Sequence, residues 1–575
     1  MTLSGRLWVV AAAVLLVPAA GLQAQGLEIF QIQGSGMSSP HQGEEVTTTA
    51  NVVTAVGREG FFIQTPNERD DDDPQTSNGL YVASVSPEAE VGFLVDVTGL
   101  VVELFGWTQL HDAEVTVRGS GRPLPRFADF DATTPASSQP WPTNELERFE
   151  GMRVRVADGV IAAPSDGFGD ACVVASPGRP FREPGILYPG LAGLPVFDGN
   201  PEAFRIAPGG LAGQSVPLVA GAAFSAEGVL AFEFGEYRLW PTELVVHDVP
   251  VTPRRVRAPR SGEITIATQN LERLGMEETS PPVAVRLAKL SGQIREVLGA
   301  PDVVAVQEVQ DLVALTALAD RITADDPQIR YTPLHEEAPW QDGFDVGFLV
   351  RDTVNVESLE QIGANAIFGY DGSLLNDRPP LVLEASRPGI DAPFAFTVVV
   401  VHQRSLNGIE DPGTGERVRR KRHEQALWLA RWLQQRQAAR PDERLIVAGD
   451  FNAFEFTDGY VDVMGQVTGQ PDPRGALIPT EPAVDPAFTD RAWSLPAGER
   501  YTYIYSCDAE VLDHFVTSGA VDPWVSGVEV SRGNADAPED WETDPDTAAR
   551  SSDHDGVVLY LGPRWRRPAG RRYVP

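Results

Sequence analysis

Between residues 263 and 562, six apolar runs carry a carboxylate, an amide or an imidazole at or beside their ends. "ITIATQN" leads to Asn270, "PDVVAVQEV" to Gln307 and Glu308, "FTVVVVHQRS" to His402, and "RLIVAGDFN" to Asp450 and Asn452. "EVLDHFVTS" carries Asp513 and His514, and "SSDHDGVVLYL" opens with Ser552, Asp553, His554 and Asp555. Such runs read as buried strands. They alternate with helical stretches near 283–298, 310–322 and 417–438, so this part of the chain is α plus β. Singly, a strand-end Asp is a loop cap and a lone His a hydrogen-bonded structural residue. Six together are different, because a sheet gathers its strand ends into one cleft. In extended backbone, residues i and i+2 share a face, which predicts that Asp450 and Asn452 are presented side by side. Gathering Glu308, Asp450 and Asp553 carries a like-charge penalty that a divalent cation removes. Carboxylates and amides, with few imidazoles, suit a hard cation such as Mg2+ or Mn2+ rather than zinc.

At 575 residues the chain exceeds what one hydrophobic core supports, which predicts two to four domains. Its net charge is −35, and its only lysines are Lys289 and Lys421. Bulk charge therefore argues against nonspecific clinging to polyanions, and a phosphodiester substrate needs a bound cation and a few placed Arg. Residues 1–24 join Arg6 to an apolar run and the ending Leu22, Gln23, Ala24, the pattern of a secretory signal. No later stretch is long and apolar enough to span a bilayer, so stable membrane insertion is not expected. Cys172 and Cys507 lack metal-site spacing; they either pair in an oxidising compartment or stay as buried thiols.

Residues 25–120 alternate in β fashion, as in "EEVTTTANVVTAV" and "FLVDVTGLVVELFG", and predict a small antiparallel barrel. Phe61, Phe62, Tyr81 and Phe93 read as its core. Asp70 to Asp73 form either a solvated charge cluster or a calcium loop. Residues 121–250 loosely repeat the pattern and predict a second β-rich module. "VTPRRVRAPRSG", residues 251–262, reads as a linker, 263–562 as the α-plus-β domain, and 563–575 as a basic tail.

Seven ordered motifs, "ATQNLERL", "PDVVAVQEVQD", "NDRPPL", "VVVVHQRSL", "LIVAGDFNAFEF", "VLDHFVTS" and "SSDHDGVV", resemble the successive motifs of the endonuclease/exonuclease/phosphatase superfamily. The resemblance covers about residues 263–562. It implies an α+β fold, the four-layer α/β sandwich of deoxyribonuclease I-like proteins, preceded here by one or two small OB-like β-barrel modules. The whole arrangement is similar to that of secreted bacterial nucleases, which implies a secreted or periplasmic location. Carried over by resemblance, Glu308 is the principal metal ligand, assisted by Asn270 and Asp553, with Mg2+, Mn2+ or Ca2+ as the cation. Asp450 and Asn452 orient the attacking water and the scissile phosphate, and Asp513 fixes the tautomer of His554. His402 and His554 flank the phosphorus, and which of them is the acid stays open. Arg378 meets a phosphate oxygen, and Arg404 is a substrate contact where relatives often have a Lys-Ser-Lys-like stretch. The Arg-rich "EDPGTGERVRRKRHEQA" is either a nucleic-acid contact or the solvated start of a helix. The implied activity is that of a monomeric metal-dependent phosphodiesterase, a nuclease on DNA or RNA. The alternatives are a same-fold enzyme on a lipid headgroup or small phosphate ester, and a non-catalytic binding protein.

Overall fold

The computed structural model describes residues 25–562 apart from 85–88, 139–143, 212, 214–215, 278–279, 340–342 and 389–392. The expected signal and basic tail lie outside the described residues. The chain forms two compact units, one ending at Arg126 and the other beginning at Phe127.

In the first unit, strands Glu45–Val56, Phe61–Gln64, Gly79–Val82, Trp107–Gly119 and Leu94–Leu104 are neighbours in that order, and the last pairs back with the first. This closes a five-stranded barrel around Val46, Val53, Ile63, Leu80, Val97 and Leu110, consistent with an OB-like module. Phe61, Phe62 and Tyr81 are buried as expected, and Phe93 packs against the core. In the acidic loop, Arg126 lies 3.0 Å from Asp70 and 3.4 Å from Asp72, so part of its charge is neutralised internally.

A second barrel opens the second unit, from strands Arg153–Ala163, Ala171–Val174, Phe204–Ile206, Glu236–His247 and Ala223–Glu233, closed by the same first-to-last pairing. The loose sequence repeat is thus a repeat of topology. Its clearest trace is the hairpin tip: Phe105-Gly106 in one barrel and Phe234-Gly235 in the other have φ of 55° and 94°, and 54° and 83°. Two left-handed residues make a tight two-residue turn that matches strand twist.

The remaining chain builds two six-stranded sheets. One runs Tyr331–His335, Asp345–Arg351, Val303–Val309, Ile264–Leu274, Val557–Leu561, Val525–Val530. The other runs Asn355–Gln361, Leu381–Arg387, Phe394–His402, Leu445–Asp450, Asp513–Thr517, Thr489–Asp490. Side chains alternate along each strand, so Ile266, Val303, Phe348, Val398, Ala448 and Phe515 fill the space between the sheets. Their neighbours Ala267, Val304 and Leu349 face outward against helices Val283–Gly292 and Leu312–Asp325. On the other sheet Val399, Val401 and Val447 do the same against helix Gly415–Ala439. Strands buried on both faces need continuous apolar runs, which is why the sequence reads "VVVV" instead of alternating. The result is the four-layer deoxyribonuclease I-like sandwich.

One expectation changes and one open alternative is decided. Residues 251–262 are not a free linker: Arg254 exchanges backbone hydrogen bonds with Arg532, and Arg257 meets Glu263 at 2.7 Å. Cys172 and Cys507, 335 positions apart, form a disulfide that fastens the second barrel to the sandwich. Arg179 on Asp536 at 3.0 Å and Asn200 on Asp508 at 2.7 Å tighten the same joint. Phe348 is fully buried between the sheets. Phe348→Ala is expected to cost about 3–5 kcal/mol, read as a lowered urea midpoint.

Candidate active site

The second sheet sets three of the expected residues in a row. His402 ends its strand opposite Asp450, and Asp450 stands opposite Asp513 on the next strand. Register alone therefore aligns an imidazole and two carboxylates at one sheet end. Asn452 joins them by another route. The strand stops at Asp450, and Asn452 takes φ 48° instead of continuing extended. Its N–H donates to Asp450 Oδ1 at 2.7 Å and its side-chain amide to the Gln403 carbonyl at 3.1 Å. The pair is presented by a turn, not by the pleat.

The first sheet supplies the opposite wall. Asn270 and Glu308 lie on adjacent parallel strands where their pairing register breaks after Asn270, and Glu308 is also left-handed, with φ 59°. Asn270 Nδ2 lies 3.3 Å from Glu308 Oε1 and 3.2 Å from Asp450 Oδ2, so one amide spans carboxylates from both sheets. Its Oδ1 accepts from the Glu272 N–H at 2.9 Å. Ser552 Oγ donates to the Asn270 carbonyl at 2.8 Å, and the Gln269 amide to the His554 carbonyl at 3.0 Å, which locks the last motif onto the first.

The two histidines are tuned in opposite directions. His402 Nε2 lies 3.5 Å from Asp450 and 3.8 Å from Glu308, while its buried Nδ1 has no partner. Burial, with Arg378 and His554 adding to it, holds this imidazole well below its ordinary value, so it is neutral. Burial would depress His554 too, but Asp513, 2.8 Å from Nδ1, overrides it and holds His554 well above, as an imidazolium. Burial also raises the Asp450 carboxyl. Arg378 donates its Nε to the Phe344 carbonyl at 3.1 Å and lines a small cleft with His402. Arg404 turns into its own loop, bonding Ser405 at 2.6 Å and the Asn407 carbonyl at 3.0 Å.

Among the described residues no three Asp, Glu, His or Cys side chains form a ready cation cage. Of the three expected ligands the structure joins Glu308 and Asn270. Asp553 is not in that hub; it sits 3.4 Å from Ser552 Oγ, and its charge acts on Glu272, Tyr503 and His554. Glu308 supplies one carboxylate, and Asn270, which here turns its NH2 to the hub, would supply its oxygen with the amide turned over; so few ligands suit Mg2+, which keeps several waters and takes substrate phosphate oxygens. The close like charges of Glu308 and Asp450 also fit a bound cation.

Several supporting residues escaped the sequence reading. Arg422 is fully buried and donates to the carbonyls of Arg404 at 2.8 Å and Asn452 at 2.7 Å, pinning the loops after His402 and Asp450 together. The signal was present: Arg422 lies on the same helical stripe as Val418, Ala426, Leu429 and Leu433. The helix start is thus partly a buried clamp, which neither reading of the Arg-rich segment foresaw. Lys289 Nζ meets four backbone carbonyls, of Trp541, Asp544, Thr547 and Ala549, at 2.6–2.9 Å, and so shapes the segment leading to Asp553. The Tyr503 ring lies 4.7 Å from His554. Glu510 is buried near them, its carboxyl pushed up to about 8 by burial.

A four-layer sandwich whose two sheets bring carboxylates, amides and imidazoles to one shared end defines the deoxyribonuclease I-like class of hydrolases. Residues 267–554 match the model of the Endonuclease/Exonuclease/phosphatase family, and residues 144–252 match a domain of unknown function, DUF8508. The chain belongs to the endonuclease/exonuclease/phosphatase family and is a hydrolase acting on phosphodiester bonds. No curated protein matches it. Among solved structures it is similar to an endonuclease/exonuclease/phosphatase from Bacteroides vulgatus, with 17% identity over 52% of this chain and 98% of that one, TM-score 0.33. It is also similar to truncated Caenorhabditis elegans TDP2, with 16% identity over 52% and 98%, TM-score 0.34. A humanized D. rerio TDP2 shows 17% identity over 52% and 99%, TM-score 0.34.

His514, next to Asp513, has a structural task. Its Nε2 bonds the Ala453 carbonyl at 2.8 Å and its Nδ1 lies 3.1 Å from Asp490. Burial would depress it, but Asp490 and that carbonyl take it up to about 9 from 6.5. A raised folded-state value means that the stabilisation is complete below about 6.5 and is lost as pH rises through about 9. Urea midpoints across that window should fall with pH, and His514→Gln should flatten the fall.

Proposed function

We propose that the protein is an exported, divalent-cation-dependent nuclease that hydrolyses DNA, with RNA as a second polynucleotide substrate. The observation that carries this reading is the Asn270 amide spanning Glu308 and Asp450, with the Asp513–His554 pair beside it. Water attacks phosphorus in line as the bond to the leaving oxygen breaks. Asp450, whose carboxylate is fixed by the Asn452 N–H, orients the water and accepts its proton. His554, held as an imidazolium by Asp513, gives its proton to the leaving oxygen from Nε2. Neutral His402 and Arg378 contact the non-bridging oxygens, where charge builds. Glu308 and Asn270 would hold a divalent cation, which when bound neutralises phosphate charge and polarises the P–O bond.

One feature favours a polynucleotide over a lipid headgroup: two barrels of OB-like topology precede the sandwich in the chain, and such barrels are frequent binders of single strands. The Cys172–Cys507 disulfide supports export, since such bonds persist in oxidising compartments.

Purified protein incubated with supercoiled plasmid, linear duplex, RNA and a sphingomyelin-type lipid, with Mg2+ or with chelator, tests the reading. Cleavage of nucleic acid that chelator abolishes is expected; cleavage of the lipid alone would overturn it. Glu308→Gln and His554→Ala should each lower turnover by about 10²–10⁴ while circular dichroism stays unchanged. Near-normal rates in both would refute the assignment of the site.

A further inference from the structure

The second barrel and the sandwich enclose a cleft of about 340 Å3 that reaches Asp553. Ser165, Asp166 and Arg205 line it from the barrel, and Tyr503, Glu539 and Arg550 from the sandwich. These walls are fixed to one another by the Cys172–Cys507 disulfide, by the Arg179–Asp536 ion pair and by the Glu539 N–H on the Ser165 carbonyl at 3.0 Å. The volume lies at the lower end of small-ligand sites, about 300–1,000 Å3, and is suited to a single nucleotide.

The two guanidiniums in the cleft differ. Arg205 is committed to Asp166 at 3.2 Å and Glu236 at 2.8 Å. Arg550 forms no ion pair among the described residues. It makes one long side-chain hydrogen bond, 3.4 Å to the Asn534 carbonyl, and its buried Nε has no partner. Its backbone is nonetheless tightly set: φ is 55°, and its N–H donates to the Gly533 carbonyl at 2.7 Å. A half-buried cation with unused donors, three residues before Asp553 and in a cleft that shares Tyr503 with His554, is placed to receive an anion that lies next to the reacting phosphate.

We propose that this cleft binds the nucleotide adjoining the scissile phosphodiester, with Arg550 gripping that nucleotide's own phosphate through its planar fork. The barrel is then one wall of the substrate site. The proposal rests on the nucleic-acid reading above. Glu539, exposed on the rim, carries the charge that repels the same phosphate.

Steady-state hydrolysis of a dinucleotide with one phosphodiester and of trinucleotides extended at the 5′ or the 3′ end tests this, using the full chain with Mg2+. The wild type should favour one trinucleotide through a lower KM. Arg550→Gln should cut the trinucleotide-to-dinucleotide ratio of kcat/KM about tenfold, the worth of one charge-assisted contact. Glu539→Gln, at an exposed position, should raise that ratio. A normal wild-type preference left unchanged by both variants overturns the proposal alone. So does an Arg550→Gln loss of kcat that is equal on every substrate. Failure of the wild type to cleave any nucleotide, while bis(p-nitrophenyl) phosphate or the lipid is still cleaved, overturns the nucleic-acid reading and the proposal with it.

Discussion

Glu308 and Asp450 belong to different sheets, yet the Asn270 amide lies within 3.3 Å of one and 3.2 Å of the other. Holding two like charges this close is unfavourable, and much of the surrounding structure serves to make it possible. The distance between them follows from the core beneath. Val303, Phe348, Val398, Ala448 and Phe515 set how far apart the sheets stand, and close-packed interiors yield little. A cleft of fixed width is therefore a property of the apolar layer as much as of the groups that line it.

The site also holds its backbone out of the usual conformations. Glu272, Glu308, Asn452 and Arg550 all have φ between 48° and 59°, a region that costs an ordinary residue on the order of 1–2 kcal/mol. Such turns are what release the side chains from their strands and aim them across the gap. Buried cations keep them so. Arg422 ties the His402 and Asn452 loops, Lys289 gathers the carbonyls before Arg550, and Arg532 grips Asp555 at 3.0 Å while lying over the Tyr501 ring. All three guanidinium or ammonium groups act largely on backbone carbonyls.

The sandwich was legible through the resemblance carried by seven ordered motifs, since only its central strands are written as apolar runs, while the edge strand Asn355–Gln361 is polar and exposed and the buried stripe of helix Gly415–Ala439 is broken by Lys421, Arg422 and Gln425. His402, Asp450 and Asp513 could be placed together because each stands at or beside the end of an apolar run and in a family motif, while the register that aligns them is seen only in the folded sheet. Asn452 was grouped correctly for the wrong reason, since nothing in "AGDFN" shows that the strand stops at Asp450. Asp553 follows Ser552, whose hydroxyl ties that segment to the Asn270 carbonyl, and its charge acts on His554 and Glu272, contacts that no sequence spacing indicates. The cysteine pairing was beyond reach, because contact across 335 positions depends on how the barrel docks. Arg422 was hidden by its neighbours, one basic residue among several with only helical phase to mark it as buried.

The chain's two lysines, Lys289 and Lys421, are both buried, at 2% and 3% exposure. The first is wrapped in carbonyls and the second rests on Asp377 at 2.6 Å. The outer surface of the folded protein thus presents guanidinium as its cationic chemistry and almost no primary amine. Acylating reagents have little to attack on it, so labelling at Lys289 in particular becomes a gauge of how often the loop before Arg550 comes undone.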